Sequence, residues 1–409
     1  MTIRNLDLTD EQIDEVGARL DEIRSTVMSD LGAEDAAYIR RLIAIQRGLE
    51  VAARGTLMFS LLPPAWLAGT AMLSLSKIIE NMELGHNIMH GQWDWMRDPR
   101  IHSTTWEWDS FIPADDWKKT HNSMHHTYTN VIGKDSDVGY GRLRVTEEQP
   151  WEAQHLIQLP VNAVIALGFE FGIAMYDAQV EAAQSETDEG RLGALRRVWK
   201  KIRPQVVKDY VAFPLLSGIS APTTLLANLT ASVTRNVWTH TIIFCGHFPD
   251  EVVYFTEEDI VAESRGEWYL RQLQGSANIE GSPLFHIMTG NLSHQIEHHL
   301  FPDMPSNRYA EVAPQVRALC QQYGLPYTTG RLSRQNAQVW RTLAALSVPD
   351  SIRESLARGL PTMPSRSTER SALPVHPVAP TAAASAPTRV EASGEAPRQT
   401  VKKAENPAA

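Results

Sequence analysis

The chain has 409 residues, 43% of them hydrophobic, and its formal net charge of −10 gives no support to a nucleic-acid partner. Its two cysteines, Cys245 and Cys320, are too few for a thiolate metal site or a disulfide scaffold and fit a reducing cytoplasmic setting. The 14 histidines are the most informative feature, because most of them fall into short clusters.

The first predicted element is an amphipathic helix over residues 9–31. Thr9 and Gln12 have the spacing of a capping box, and apolar residues such as Leu20 and Val27 recur at helical spacing after them. The N-terminal sequence has no apolar core of the signal-peptide kind. We therefore expect residues 1–35 to form a cytoplasmic N-terminal helix.

Two apolar blocks predict membrane hairpins. Residues 55–76 carry no charge and contain a central proline pair, which favours a helical hairpin at about 42–90 that turns at the prolines. A second block predicts two short spans at about 210–248 that meet near residue 228. Residues 191–208 hold seven Lys or Arg and no acid, so the positive-inside rule places this segment on the cytoplasmic side. With the predicted spans, all three histidine clusters then face the cytoplasm too.

The predicted fold class is mainly α, with a four-span helical membrane anchor capped by a cytoplasmic, helical, histidine-rich part. Anchor and cap together form one predicted membrane domain over residues 36–345. A helix at about 155–180 contains two acids and is expected at the membrane interface rather than across the bilayer. Residues 346–409 form a C-terminal extension. Its part beyond about 371 is rich in Pro, Ala, Ser and Thr without aromatics, which predicts disorder.

The three histidine clusters have the spacing of a metal site. They are HNIMH from His86, HNSMHH from His121 and HQIEHH from His294. Residues four apart share a helical face, so each pair can hold a metal ion. The adjacent third histidine in the second and third clusters supplies a ligand that points elsewhere, as a dinuclear centre needs.

The pattern favours two iron ions over zinc. No glutamate follows the first histidine of any cluster, as the HExxH motif of zinc proteases requires, and the histidines are too many for one tetrahedral zinc. Imidazole suits iron, which has the redox chemistry that zinc lacks. A soluble di-iron protein would use pairs such as Glu83-His86 and Glu152-His155, which would leave the second and third clusters unexplained.

The wider sequence resembles the membrane fatty acid desaturase family over roughly residues 35–345. The strings that carry the resemblance are similar to those of the actinobacterial stearoyl-CoA desaturases: IIENMELGHNIMHGQWDWM, HHTYTNVIGKDSDVGYG, FCGHFPD and GNLSHQIEHHLFPDMPSNRY. The resemblance implies O2-dependent formation of a cis double bond, at the ninth carbon of an acyl-CoA, by a cytoplasmic-facing di-iron centre in a multi-pass protein of the cell membrane. The ligands it implies are His86, His90, His121, His125, His126, His247, His298 and His299.

Two ligand choices stay open. His247 matches the family position after the last span, and His240, seven residues earlier on the same helical face, competes with it. In the third cluster we favour His294 as a ligand, because on a regular helix it would share a face with His298. Gln295 is the alternative.

Groups around the centre are predicted from their chemistry. Carboxylates are expected to orient the imidazoles, and the candidates are Asp94, Asp98, Asp135, Asp137 and Glu297. Substrate phosphates would meet cations at the cytoplasmic surface, and the candidates are Lys118, Lys119, Arg142 and Arg144.

The expected partners are a fatty acyl-CoA, O2, the lipid bilayer and an electron donor. The chain has no cytochrome b5 motif, cysteine cluster or flavin or NAD fingerprint, so a separate NAD(P)H-dependent electron-transfer flavoprotein or ferredoxin-type reductase is implied. The alternatives are a desaturase of another position or substrate, such as a linoleoyl type, and a hydroxylase or ketolase on the same scaffold. A non-catalytic membrane metal-binding protein and a zinc hydrolase are less favoured.

Overall fold

The structure, a computed structural model, describes residues 6–184 and 188–359. It is mainly helical, as the sequence predicts. The predicted disordered tail lies outside the described residues. The helices of the first half are α1 (Asp10–Asp30), α2 (Ala33–Leu57), α3 (Pro63–Ile79), α4 (Asn87–Met89), α5 (Ala114–Trp117), α6 (His126–Tyr128), α7 (Gln158–Leu167) and α8 (Phe169–Gln184).

The second half continues with α9 (Asp188–Val207), α10 (Phe213–Leu216), α11 (Ala221–His247), α12 (Arg265–Gln274), α13 (Pro283–Met288), α14 (Gln295–Leu300), α15 (Tyr309–Tyr323), α16 (Leu332–Leu346) and α17 (Asp350–Gly359). Strands β1 (Asn278–Glu280) and β2 (Thr329–Arg331) form a parallel pair. The 3-10 segments are Asp94–Met96, Gly139–Gly141, Ala153–Ile157, Gly218–Ser220, Glu257–Ile260 and Ser306–Arg308, and the π-helical segments are Glu80–His86, Lys118–His125 and Lys208–Ala212.

Helix α1 begins where the capping box predicts. The Thr9 hydroxyl accepts the Gln12 N–H at 3.3 Å, and the Gln12 side-chain oxygen accepts the Thr9 N–H at 2.9 Å. The apolar face of α1, including the fully buried Val16, packs into a core shared with α12, α14 and α15. A Cβ on Gly17 would lie 3.0 Å from the Cα of Gly266 in α12, so glycine is what allows the two helices to approach so closely.

Helices α2 and α3 form a helical hairpin whose turn lies at residues 58–62. Pro63 and Pro64 open α3, where a missing N–H leaves no helical hydrogen bond unmade, rather than forming the turn itself. The Gln46 Nε2 donates to the Ser76 Oγ at 3.1 Å, which ties the middle of α2 to the far end of α3. The first histidine cluster follows directly after α3, so the hairpin sets its position.

The second apolar block folds differently from the prediction. Helix α9 continues through the π turn Lys208–Ala212 into α10, and the chain reverses at Gly218 rather than near residue 228. Gly218 has a φ of +60°, which glycine adopts without strain, and Pro222 lies in the first turn of α11. Helix α11 then runs for 27 residues to His247.

A bent helix pair is the candidate that meets the length and composition of a membrane span. Within residues 6–184 and 188–359, no single helix does so, whereas Ala153–Leu167 and Phe169–Val180 do so together, with a bend of 105° between them. This is the stretch that we expected to lie at the membrane interface.

Four distant stretches meet at the centre of the fold: the chain after α3, the segment from α5 to α6, the end of α11, and α14. The small sheet fixes the last of these. Ile279 of β1 lies opposite Gly330 of β2, and the Asn278 Oδ1 accepts the N–H of Ile296 at 2.9 Å. This bond anchors α14 to β1 and sets the orientation of the third histidine cluster.

Candidate metal centre

Two π-helical turns shape the first two histidine clusters. The chain leaves α3 through the π turn Glu80–His86, and His121 and His125 of the second cluster lie within the π segment Lys118–His125. There the N–H of His126 donates to the carbonyl of His121, five residues back, so the helix is wider than an α-helix. Such turns occur often at functional sites, and here they set the directions of adjacent imidazoles.

Four imidazoles from all three clusters form a first group. The Nε2 atoms of His86 and His121 are 3.2 Å apart, and the ring centroids of His90 and His298 are 4.8 Å apart. One ring nitrogen of each of the four lies within 4.8 Å of those of the other three. A metal ion among them would therefore have up to four nitrogen ligands within reach.

The other histidines of the second and third clusters form a second group. The ring nitrogens of His125, His126 and His299 lie within 4.8 Å of one another. The Nε2 of His247, at the end of α11, is 3.3 Å from the Nε2 of His299. The ring centroids of His90 and His126 are 4.6 Å apart, so the two groups adjoin, as the ligands of a dinuclear centre must.

Several buried ring nitrogens in these groups lack a partner. Among the described residues, the Nε2 atoms of His90, His125 and His298 have no hydrogen-bond partner, and neither ring nitrogen of His126 has one. A buried polar atom left unpaired costs about 1–3 kcal/mol, and a metal ion bound to the nitrogen lone pairs would remove that cost. The imidazole donor set fits iron, as it also fits zinc, copper and nickel.

Two of the predicted acidic residues face the second cluster. Both carboxylate oxygens of Asp135 lie 3.0 Å from the His125 Nδ1, and the Asp137 Oδ2 lies 3.5 Å from the His121 Nδ1. Burial alone would lower the pKa of His125, but the two carboxylates outweigh it and raise that pKa to about 9. The other predicted acids pair away from the two groups: Asp94, Asp98 and Glu297.

Sequence reasoning missed the partners of the third cluster. The His298 Nδ1 lies 3.1 Å from the Tyr309 hydroxyl, and the His299 Nδ1 lies 3.1 Å from the Gln272 Oε1. Contacts of this kind on the distal nitrogen orient a ligand imidazole. Tyr309 is the last residue of the string GNLSHQIEHHLFPDMPSNRY, and membership of that string is the signal that could have identified it. Gln272 lies in none of the motifs.

Burial keeps most of the cluster in its neutral form. It lowers the pKa of each of four imidazoles well below the ordinary histidine value, and the neighbouring imidazoles lower it further: those of His121, His126, His298 and His299. A histidine must be neutral to bind a metal ion, so these residues are in the ligand-competent form at neutral pH.

The third cluster differs from the regular helix that we expected. His294 caps α14 rather than lying within it, so it does not share a face with His298. Its ring packs on that of His286 at 4.5 Å, and it belongs to none of the close groups among the described residues. The Gln295 Nε2 instead lies 2.9 Å from the Nε2 of His247, at the edge of the second group.

His240 lies apart from the two groups. Its Nε2 is 2.9 Å from the Oδ1 of Asn162, and its ring stacks on that of Phe244 with centroids 3.9 Å apart. These contacts satisfy a buried histidine without a metal ion. Of the two competing positions on α11, the structure therefore brings His247 and not His240 to the clusters.

The two Glu-x-x-His pairs of the soluble di-iron alternative do not assemble a site. The buried Glu83 carboxylate accepts hydrogen bonds from the hydroxyls of Tyr38 and Ser306. The His155 Nδ1 accepts the N–H of Glu152 at 2.9 Å, which is a local turn contact. In the described part of the chain neither glutamate lies in a close group with other ligand atoms.

A cavity adjoins the histidines, and a surface pocket lies beside it at Trp108. An enclosed cavity of about 60 Å³ is lined by His121 and His125 on one side and by Trp108, Ile112 and Trp117 on another. Trp108 also lines an open surface pocket of about 940 Å³. The cations around that pocket come largely from α2 and α9: Arg40, Arg47, Arg100, Lys200, Lys201 and Lys208.

Comparison with known proteins agrees with this architecture. The family model described as fatty acid desaturase matches residues 62–331, more than half of the chain. The NADPH-dependent stearoyl-CoA 9-desaturase of Mycobacterium tuberculosis is 50% identical over 349 residues, which are 84% of this chain and 82% of that protein. The human fatty acid desaturase 3 is 36% identical over 52% of this chain and 45% of its own length, and the sn-1 linoleoyl-lipid 6-desaturase of Synechocystis is 23% identical over 64% and 75%. The chain belongs to the fatty acid desaturase family.

Proposed function

We propose that this protein is an acyl-CoA 9-desaturase, which removes two hydrogens from adjacent methylenes of a fatty acyl chain and leaves a cis double bond. O2 is the oxidant and leaves as water. The observation that carries the proposal is the convergence of seven largely buried imidazoles, from three separate clusters, into two adjacent groups. The 50% identity to a protein named stearoyl-CoA 9-desaturase supports the substrate and the position of the double bond.

The first group would hold one iron ion and the second group the other. His86, His90, His121 and His298 are assigned to the first ion. The ligands assigned to the second ion are His125, His126, His299 and His247. Two bound irons would supply the redox chemistry with O2 that abstraction of hydrogen from an unactivated chain requires.

Gln295, rather than His294, is the third-cluster residue beside the second ion. Its side-chain amide lies against the Nε2 of His247, and its Oε1 has no hydrogen-bond partner among the described residues. An amide oxygen is a competent ligand, or it can hold a water molecule in place. His294 packs on His286 and belongs to none of the close groups among the described residues.

The apolar wall of the enclosed cavity would position the substrate. A saturated chain offers no polar handle, so the reacting methylenes must be placed by shape. Trp108 and Trp117 line the cavity beside His121, where they would exclude bulk water from the reacting carbons. The same Trp108 borders the surface pocket, whose cations would meet the phosphates of a coenzyme A head group. Acids also line that pocket: Glu50, Glu80, Asp98, Glu107 and Asp109.

Arg144, one of the predicted phosphate-binding cations, does not suit that role. Its guanidinium is buried and pairs with Asp350 at 2.8 Å. The cations around the surface pocket lie on other elements, chiefly α2 and α9. The head group is therefore assigned to the pocket beside Trp108 rather than to the segment around Arg144.

The two hairpins are assigned as the membrane anchor of a catalytic domain over residues 36–345. Exposed apolar side chains on both support this: Phe59 and Leu67 of the first hairpin are 65% and 62% exposed, and Leu215 and Ile219 of the second are 71% and 85% exposed. Large apolar side chains left in water would be costly, so a lipid environment explains them. The protein would be multi-pass in the cell membrane, with the metal centre on the cytoplasmic side.

The electrons would come from a separate reductase. The relative in Mycobacterium tuberculosis is named NADPH-dependent, while this chain contains no flavin, NAD or iron–sulfur motif. A separate NADPH-dependent electron-transfer protein is therefore the assigned partner.

Expression in a host without acyl desaturases, together with an NADPH-dependent reductase, tests the proposal. Wild-type protein should convert stearoyl chains into a product two mass units lighter, with the double bond at the ninth carbon. The variant His298→Ala, at equal accumulation, should give none. A product heavier by one oxygen would identify a hydroxylase, and no product from the wild type would refute the desaturase assignment.

A further inference from the structure

A buried carboxyl group with one unpaired oxygen lines the cavity beside the histidines. Asp177 of α8 is 3% exposed and borders the same cavity as His86, His121 and His125. Its side chain forms a hydrogen bond with Thr120. Its Oδ2 is buried, and within the described residues it has no hydrogen-bond partner. The metal assignment uses none of these atoms.

The surroundings of Asp177 favour its protonated form. An ionised carboxylate is costly to bury without a cation beside it. The charges that act on Asp177 come from two more acids, Asp116 of α5 and Asp137 of the loop after α6. Burial, followed by the charge of Asp137, raises the pKa of Asp177 well above the ordinary value. The cation of the same cavity, Arg235, is paired with Glu170.

The Thr120 contact leaves room for that proton. The Thr120 hydroxyl lies 3.2 Å from the carbonyl oxygen of Asp116 and 3.3 Å from that of Trp117, and it donates its hydrogen to them. A lone pair of Thr120 is then free to accept a hydrogen bond from a neutral Asp177 carboxyl. Asp177 therefore lies in the cavity of the histidines as a neutral carboxylic acid that can donate a proton.

The proposed reaction consumes protons. A saturated acyl chain, O2, two electrons from the reductase and two protons give one double bond and two molecules of water. The cavity that Trp108 and Trp117 line beside His121 is also lined by Asp177, so this buried carboxyl group is placed to supply protons there. Resting on the proposed desaturase function, we infer that Asp177 is a general acid that delivers protons to the reduction of O2.

The isosteric variant Asp177→Asn tests the inference, because it keeps the shape and removes the acid. It should bind iron and unfold as the wild type does, but form double bonds about 100-fold more slowly, which is the lower range for loss of a general acid. Part of the O2 should then be released as hydrogen peroxide instead of water, so that more NADPH is consumed per double bond formed. Asp177→Glu should restore part of the coupling, and Asp115→Asn, at a position 93% exposed, should change nothing.

A merely structural Asp177 would not alter the ratio of peroxide to product. The inference is overturned if Asp177→Asn, with normal iron content, couples NADPH to double bonds as the wild type does. Infrared spectra of wild-type protein with 13C-labelled aspartate provide a measurement that needs no variant. A protonated aspartic acid band should persist at neutral pH, and its absence would also overturn the inference. If wild-type protein itself makes no double bond, the proposed function fails instead.

Discussion

The histidine groups and the ion network between the two hairpins are both buried and polar, yet they are completed differently. In the network, Asp209 accepts from the Arg54 Nη2 at 2.5 Å and from the Lys77 Nζ at 2.6 Å, so each charge has its opposite. Among the described histidines, the Nε2 atoms of His125 and His298 have no partner at all.

The difference separates groups that stabilise the fold from groups that await a ligand. The paired charges of the ion network hold α2, α3 and the π turn after α9 together, although the Arg54 Nε has no hydrogen-bond partner among the described residues. The imidazole groups contain buried, unpaired nitrogens whose energetic cost a bound metal ion would remove. Substitutions in the ion network should therefore lower the free energy of unfolding and leave metal content unchanged. Substitutions in the histidine groups should lower metal content.

The largest effect on activity is expected for His298→Ala. Its Nε2 belongs to the first group and its ring contacts both His86 and His126. Iron content should fall to at most one ion per chain and double-bond formation should become undetectable. Metal analysis and fatty acid profiling of the same preparation measure the two effects.

The matched control is His102→Ala, a histidine from the same stretch of sequence that lies outside both groups. It contacts Thr104 and lies 3.6 Å from Asp94. Iron content and activity should stay at wild-type levels. Equal losses in the control and in His298→Ala would show that general damage, not a missing ligand, explains the result.

The largest effect on stability is expected for Asp209→Asn in the ion network. Removing the Asp209 charge leaves Arg54 only Glu50, at 3.3 Å, and Lys77 only Asp109, at 3.8 Å. The free energy of unfolding should therefore fall by about 3 kcal/mol, the lower end for a broken buried ion pair. Denaturant titration in detergent measures it. Iron bound per folded molecule should not change, and a selective loss of iron would contradict the division between the two regions.

Exposed ion pairs supply the control for this stability effect. Arg19 and Glu22 are 3.2 Å apart with side chains 62% and 64% exposed. Glu22→Gln should therefore change the free energy of unfolding by less than about 1 kcal/mol.

A smaller effect is expected for Tyr309→Phe, which removes the hydroxyl beside the His298 Nδ1 and keeps the ring. Loss of such an orienting contact should weaken iron binding by about 10–100-fold. Competition with a chelator measures the affinity. Tyr323→Phe on the same helix is the control, and equal affinities for the two variants would show that Tyr309 does not orient His298.

The smallest effect is expected for His294→Ala, because His294 caps α14 and packs on His286. Iron content should stay at the wild-type value, whereas Gln295→Leu should lower the occupancy or the activity of the second group. If His294→Ala loses iron and Gln295→Leu does not, the assignment within the third cluster is reversed.

The mainly helical fold and the cap of α1 were predictable because their signals are local. The capping box of Thr9 and the apolar spacing after it are properties of a few adjacent residues. The reversal at Gly218 was not found, because the apolar composition runs on through both arms and conceals the turn. A left-handed φ at one glycine decided where the chain turns.

The histidine clusters were predictable as clusters, but their neighbours were not. Spacing alone identified residues that could hold a metal, and resemblance drew attention to His247. Tyr309 and Gln272 reach the third cluster through tertiary packing, which no local pattern encodes. The position of His294 differs from the regular helix that its spacing predicts, because α14 begins at the next residue.

Iron K-edge X-ray absorption, with metal quantitation on wild-type protein purified without added chelator, tests the central claim most directly. The account predicts two iron ions per chain in a nitrogen-rich environment, with an iron–iron scattering contribution. A single zinc ion, or protein that binds no iron when reconstituted anaerobically, would contradict it.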